Sequence, residues 1–148
     1  MSNLIKIFTI GFTRKTAREF FTLLRRPDLT RVLDTRLNNV SQLAGFAKRE
    51  DLRFFLREIA GIDYIHLPLL APTQHMLDDY RNNGANWDLY QRRFLDLMLE
   101  RRIEAQIEPS LLAGACLLCS EPTPHHCHRR LVAEYLLDRW GNLAIEHL

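Results

Sequence analysis

Short apolar runs and longer stretches of helical periodicity take turns along this chain. Leu4-Ile5-Lys6-Ile7-Phe8-Thr9-Ile10 is rich in β-branched and apolar side chains and stops at Gly11, the pattern of a buried strand. Thr16 with Glu19 three positions on then makes a capping-box start for a helix. Its apolar face is Phe20, Phe21 and Leu24, and Arg25-Arg26 before Pro27 brings it to an end. The unit recurs. Arg31 to Arg36 reads as a short strand ending in charge, a loop with Gly45 follows, and Leu52, Phe55, Leu56 and Ile59 mark a helix closed by Gly61. Asp63 to Leu67 forms a third strand, stopped by Pro68.

The stretch from Ala71 to Ala85 is polar and irregular, and predicts a mobile loop carrying a short helix. Asn86 is placed to cap a long amphipathic helix bearing Trp87, Tyr90, Phe94, Leu97 and Met98, which runs to about Ile107 before Pro109. Its stripe suits a core, and a homodimer face has the same pattern. Ala115-Cys116-Leu117-Leu118-Cys119 is the most apolar strand and therefore the expected central one. A loop from Ser120 leads to Thr123 as expected N-cap, with Pro124 at the first helical position. Gly141 closes that helix, and Leu143 to His147 is a last strand. Strands alternating with helices predict one α/β domain over residues 1–148. The expected sheet has about five strands, mainly parallel, with helices on both faces.

Composition narrows the class. Of 148 residues, 47% are hydrophobic and 26% charged, an ordinary globular balance and far from that of disorder. No apolar run is long enough for a membrane span or a signal segment, so the expectation is a cytoplasmic protein without a membrane partner. The three cysteines, Cys116, Cys119 and Cys127, cannot all pair within the chain, and a reducing compartment would keep them as thiols. Net charge is only +2, yet seventeen arginines stand against three lysines, many as doublets: Arg25-Arg26, Arg92-Arg93, Arg101-Arg102, Arg129-Arg130. Arginine suits bidentate contact with phosphate or carboxylate, while doublets also commonly lie on solvated helix faces.

In a parallel sheet ligands gather beyond the carboxyl ends of the strands. Those ends here deliver Gly11 and Thr13, Asp34 and Arg36, His66, then Cys119 and Glu121. Stepping back one turn from Leu131 and Val132, on the apolar stripe of the last helix, lands on Cys127 and His128, which should therefore face the sheet. The short connection brings Cys119, Cys127 and His128 within roughly 10 Å of one another. A helix start also favours an anion and lowers the pKa of a nearby thiol, and Arg129 and Arg130 add to that field.

Three readings of this group stay open. A thiolate acts as nucleophile, with His128 or His66 as base. The thiols and imidazoles hold zinc, although the spacing C-x7-C-H matches no standard finger or ribbon. Or the cysteines are small buried hydrophobes and His128 is a hydrogen-bonded core residue. Asp34 and Arg36 either pair with each other, or Asp34 orients a ligand-binding Arg36 and serves as acid or base. Glu121 has similar duties open to it, or is a helix-start carboxylate. His125 and His126 are expected to face water.

Thr9-Ile10-Gly11, Leu33-Asp34-Thr35-Arg36, Tyr64 to Pro68, and above all Leu117-Leu118-Cys119-Ser120-Glu121 followed by Cys127-His128-Arg129 resemble the domain-of-unknown-function 488 family over nearly the whole chain. The resemblance implies an α/β sandwich with Cys, His, Arg and Asp clustered at the strand ends. It carries Gly11, Asp34, Arg36, His66, Cys119, Glu121, Cys127, His128 and Arg129 as matching positions, and it implies no settled activity or cofactor. Phe12 departs from it, standing where many members carry His. The Asp34-x-Arg36 strand end and the later cysteine also look like rhodanese and cysteine-phosphatase folds. In those folds, however, the arginine lies one tight loop from the cysteine, whereas Arg129 is ten positions past Cys119.

The expected function is an enzyme or enzyme-like binder of a small anionic ligand, a nucleotide or phosphorylated molecule. Cys119, His128, His66, Asp34 and Glu121 are its candidate catalytic groups, and Gly11, Thr13, Arg36, Cys127, Arg129 and Arg130 its candidate ligand contacts. A nucleic-acid-binding module, drawing on the arginine doublets and the aromatic helix, and a structural zinc site are the alternatives.

Overall fold

A computed structural model describes residues 4–39, 45–82, 84–120 and 126–148. Five parallel strands, β1 (Ile5–Gly11), β2 (Arg31–Asp34), β3 (Asp63–His66), β4 (Ala115–Cys119) and β5 (Leu143–His147), form one sheet in the order β3-β2-β4-β1-β5. The strand predicted to be central is central: every residue of β4 is buried. Alternation along each strand splits the core in two. Phe8, Ile10, Val32, Cys116 and Leu118 pack on one face, and Ile7, Leu33 and Leu117 on the other.

On the first face lie α1 (Ala17–Leu24) and α2 (Arg49–Phe55), which contribute Phe20, Phe21, Leu24 and Leu52 to its core. The capping box at Thr16 is present: Oγ1 accepts from the Glu19 amide at 3.1 Å, and the Glu19 carboxylate accepts from the Thr16 amide at 3.3 Å. A wider π-type turn, Leu56–Ala60, extends α2 to Gly61, whose φ of 67° lies in the left-handed region that glycine adopts freely.

The second face carries α3 (Gln74–Asn82), α4 (Trp87–Arg101), α5 (Ile103–Gln106), α6 (Pro109–Leu112) and α7 (His128–Trp140). Asn86 caps α4 as its sequence suggests, Oδ1 accepting from the Leu89 amide at 3.1 Å. The short helix expected between Ala71 and Ala85 is α3, nine residues long. Two expectations need correction. The helix predicted to run unbroken to Ile107 stops at Arg101, because Arg102 takes a left-handed conformation (φ 52°) and lets Ile103 turn back into the core. The last helix begins at His128 rather than near Pro124, with Cys127 in extended conformation at its N-cap. Thr123, Pro124, Glu121 and His125 fall outside the described residues.

The topology locates a crevice. From β2 the chain crosses the first face through α2 to reach β3; from β4 it crosses the second face through α7 to reach β5 on the opposite side of the sheet. The connections part between β2 and β4, so their carboxyl ends are not roofed by a common crossover. No helix among the described residues is long and apolar enough to cross a membrane.

Candidate functional site

The crevice between β2 and β4 has a volume of about 510 Å3. Arg36 from the end of β2, Cys119 from the end of β4, and Cys127 and His128 from the start of α7 line it, opposite Tyr80 and Arg81 of α3 and Trp87 and Tyr90 of α4. The inward turn expected of Cys127 and His128 is what the structure has, since Leu131 and Val132 one turn on are packed in the core.

Asp34 and Arg36 pair, with a fork-to-fork geometry. Arg36 Nε donates to Asp34 Oδ1 at 2.9 Å and Nη2 to Oδ2 at 2.8 Å, and the Arg36 amide donates to Oδ1 at 3.1 Å. The Tyr64 hydroxyl donates to Oδ2 at 2.5 Å, and Asn39 Nδ2 to the same oxygen at 3.4 Å. Asp34 is fully buried. Burial alone would raise its pKa, but the hydrogen bonds and charge of Arg36 outweigh that and hold the carboxyl below its ordinary value. Burial and the neighbouring carboxylate together push the Tyr64 phenol upward. An Asp34 carboxylate so fully engaged orients Arg36, and its oxygens are already taken up by donors. Among the described residues, the remaining guanidinium nitrogen, Arg36 Nη1, meets no acceptor, although the side chain is only 4% exposed.

Cys119 and Cys127 are not the separate thiols expected; their sulfurs are joined as a disulfide, with the Cα atoms 7.3 Å apart. Arg129, fully buried, directs Nη1 at the Cys119 sulfur from 3.1 Å. The ligand atoms of Cys119, Cys127 and His128 all lie within 4.8 Å of one another. Cys116 remains a thiol on the other side of the sheet, and burial pushes its pKa up.

His128 is held by Thr35, 93 positions earlier. Thr35 Oγ1 is 2.7 Å from the Leu118 carbonyl, which accepts its proton. Toward the imidazole that hydroxyl can then only accept, so His128 Nε2 carries hydrogen and donates to Thr35 Oγ1 at 2.9 Å and the Thr35 carbonyl at 2.8 Å. Nδ1 is left with its lone pair. Burial is the main cause that takes the His128 pKa down to about 4; the Thr35 carbonyl opposes it and the nearby Arg129 charge adds to it, so the ring is neutral at pH 7.

Other candidates stand further back. His66 lies partly buried beside β2, its Nε2 2.8 Å from the Arg36 carbonyl, and it does not line the crevice. Gly11 pairs in register with Cys119, and the Thr13 amide donates to the Ser120 carbonyl at 3.0 Å; both shape the end of β4 without reaching the crevice. Arg130 makes an i,i+4 ion pair with Glu134 at 3.0 Å, and its Nη2 donates to Gln91 Oε1 of α4 at 3.5 Å. Other arginines of the doublets have internal partners as well: Arg26 pairs with Glu146, Arg93 with Asp79 at 2.6 Å, and Arg101 caps the carbonyls of Leu69 and Ala71 at 2.8 and 2.7 Å.

The aromatic helix, expected as core or as support for nucleic-acid binding, was not expected beside the strand-end cluster. Trp87 stacks on Tyr90 with ring centres 5.3 Å apart, and on His126 at 4.8 Å, both at 22°. His126 is exposed as expected, yet it lines the crevice. Trp87 and Tyr90 share the helical stripe of the core residue Phe94, and periodicity assigns all three to packing. The nearness of Tyr80, Trp87 and Tyr90 in sequence was the available signal.

Comparisons with curated proteins and with solved structures return no match. Residues 16–136 match the family described as "Domain of unknown function DUF488", and this chain belongs to it.

Proposed function

We propose that this protein is an enzyme-like binder of a small anionic ligand, phosphorylated or nucleotide in type, held in the crevice between β2 and β4. The observation that carries this reading is Arg36. Two of its guanidinium nitrogens are locked onto Asp34, and the third is buried without an acceptor among the described residues at the wall of a 510 Å3 crevice. A buried donor left without a partner costs about 1–3 kcal/mol, so an anion that accepts from it would regain that energy. The start of α7 adds partial positive charge to the same crevice. Trp87 and Tyr90 offer flat apolar surface for the uncharged part of a nucleotide.

In this reading Arg36 contacts the ligand, Asp34 and His66 position Arg36, and the Cys119, Cys127 and His128 group forms the reactive floor. A nucleophilic Cys119 belongs to the reduced protein, because only the thiolate attacks. Calorimetric titration with inorganic phosphate, pyrophosphate and adenosine monophosphate tests the reading. At least one probe is expected to bind, and Arg36→Lys, which keeps the charge but loses the fork, to weaken it about tenfold. Binding that is absent for all three probes, or unchanged in Arg36→Lys, would overturn it.

A further inference from the structure

We propose that, once reduced, Cys119, Cys127 and His128 form a three-ligand site for a divalent metal of zinc type, with its fourth position open to the crevice. The ligand set comes from two elements that the tertiary fold fixes independently: Cys119 closes β4, while Cys127 and His128 open α7. Their donor atoms already lie within 4.8 Å of one another, and all three residues line the crevice. Two sulfurs and one imidazole nitrogen are the donor types zinc takes, and three protein ligands with one vacant position is the arrangement of catalytic rather than structural zinc.

Three further features of the surroundings agree. The hydrogen bonds of Thr35 place the proton of His128 on Nε2, which leaves Nδ1 as the coordinating atom and supplies the outer partner that a metal-bound histidine ordinarily has. Arg129 Nη1, 3.1 Å from the Cys119 sulfur, is a donor that stabilises that sulfur as a thiolate. The Cα atoms of Cys119 and Cys127 are 7.3 Å apart, wider than the span of about 4.4–6.8 Å usual for a disulfide. Two thiolates on one tetrahedral ion keep their sulfurs about 3.8 Å apart, given metal–sulfur bonds of about 2.3 Å, and so suit the wider separation.

The two states of the cysteine pair are connected by balanced chemistry. A phosphine reductant and one water convert the disulfide to two thiols and a phosphine oxide. Binding of the divalent ion to the two sulfurs then releases both thiol protons to solvent. A divalent ion on two thiolates and a neutral imidazole carries no net charge, so a water or an anionic ligand oxygen can fill the fourth position. The proposal thus deepens the anion-binding reading at its reactive end, and it also stands apart from it, because metal uptake does not require Arg36.

The test is titration of the phosphine-reduced chain with cobalt(II) without oxygen, followed by displacement with zinc. One cobalt per chain is expected, with thiolate-to-cobalt charge-transfer absorption, and zinc should bleach it. Cys116→Ala and Arg36→Lys should retain the signal, whereas Cys119→Ser and Cys127→Ser should lose the charge-transfer bands and bind at least tenfold more weakly. If those serine variants do not fold, alkylation of the reduced parent chain decides instead. Zinc should then protect Cys119 and Cys127 from iodoacetamide, as mapped by mass spectrometry. Folded, reduced protein that takes up no stoichiometric cobalt, cobalt binding that survives both serine substitutions, or no zinc protection would each overturn the site. Anion binding by reduced protein that takes up no cobalt would show that the metal proposal alone had failed, and loss of anion binding with intact cobalt uptake would show the reverse.

Discussion

Arg129 reaches the Cys119 sulfur through the interior of the protein: its Nη1 lies 3.1 Å away, the whole side chain is inaccessible to solvent, and ten positions separate the two residues. It therefore joins the start of α7 to the end of β4 at the floor of the crevice. Arg129→Ala should remove both that donor and a large buried volume, and lower stability by roughly 2–4 kcal/mol. Urea denaturation of the two proteins measures it. A loss below about 0.5 kcal/mol, the size typical of surface positions, would mean that the interaction does not hold the floor together.

Asp34 predicts a pH dependence. Its carboxyl is held below its ordinary value because the fork to Arg36 outweighs the cost of burial. A depressed folded pKa contributes stability above the unfolded value, about 3.9, and that contribution is lost as pH falls through the folded pKa. Asp34→Asn should cost roughly 3–5 kcal/mol near neutral pH, by leaving the Arg36 charge buried without its counter-ion. The gap between the two proteins should narrow only below the ordinary aspartate range. Stability curves from pH 7 downward check this, and a gap that widens on acidification would contradict the assignment.

Thr35→Val tests how His128 is held. The substitution removes the hydroxyl that donates to Leu118 and accepts from His128, but keeps the carbonyl bond to Nε2. The expected cost is about 1 kcal/mol of stability, read from thermal unfolding. Cobalt affinity of the reduced protein should fall about tenfold, as commonly follows loss of an outer partner of a metal-bound histidine. Unchanged affinity would place Thr35 outside the chemistry of the site.

Trp87→Ala tests whether the proposed ligand is a nucleotide, by separating base from phosphate. Trp87→Ala opens the stacked wall that includes Tyr90 and His126. Adenosine monophosphate should then bind about tenfold more weakly, in keeping with stacking worth about 1–3 kcal/mol per base, while inorganic phosphate should bind as before. Calorimetry with both probes distinguishes this from general damage to the crevice, which would weaken the two together.

The sequence by itself determined the alternation of strands and helices, the central place of the wholly apolar Ala115–Cys119 segment, and the inward direction of Cys127 and His128. Each of these follows from a local period: two for a strand, 3.6 for a helix, read against one buried side. Tertiary structure alone decided the rest. The proton position on His128 depends on a threonine 93 positions away, the wall of Tyr80, Trp87 and Tyr90 depends on how α3 and α4 lie over the strand ends, and the Arg36 nitrogen left without an acceptor among the described residues depends on the fork that fixes its other two. Local rules mislead at Arg102, where one left-handed residue ends a helix whose apolar stripe would have continued. A period records which side of an element is buried; it does not record which distant donor, acceptor or ring meets that side. That choice is made by the order of the strands in the sheet, set when the whole core packs.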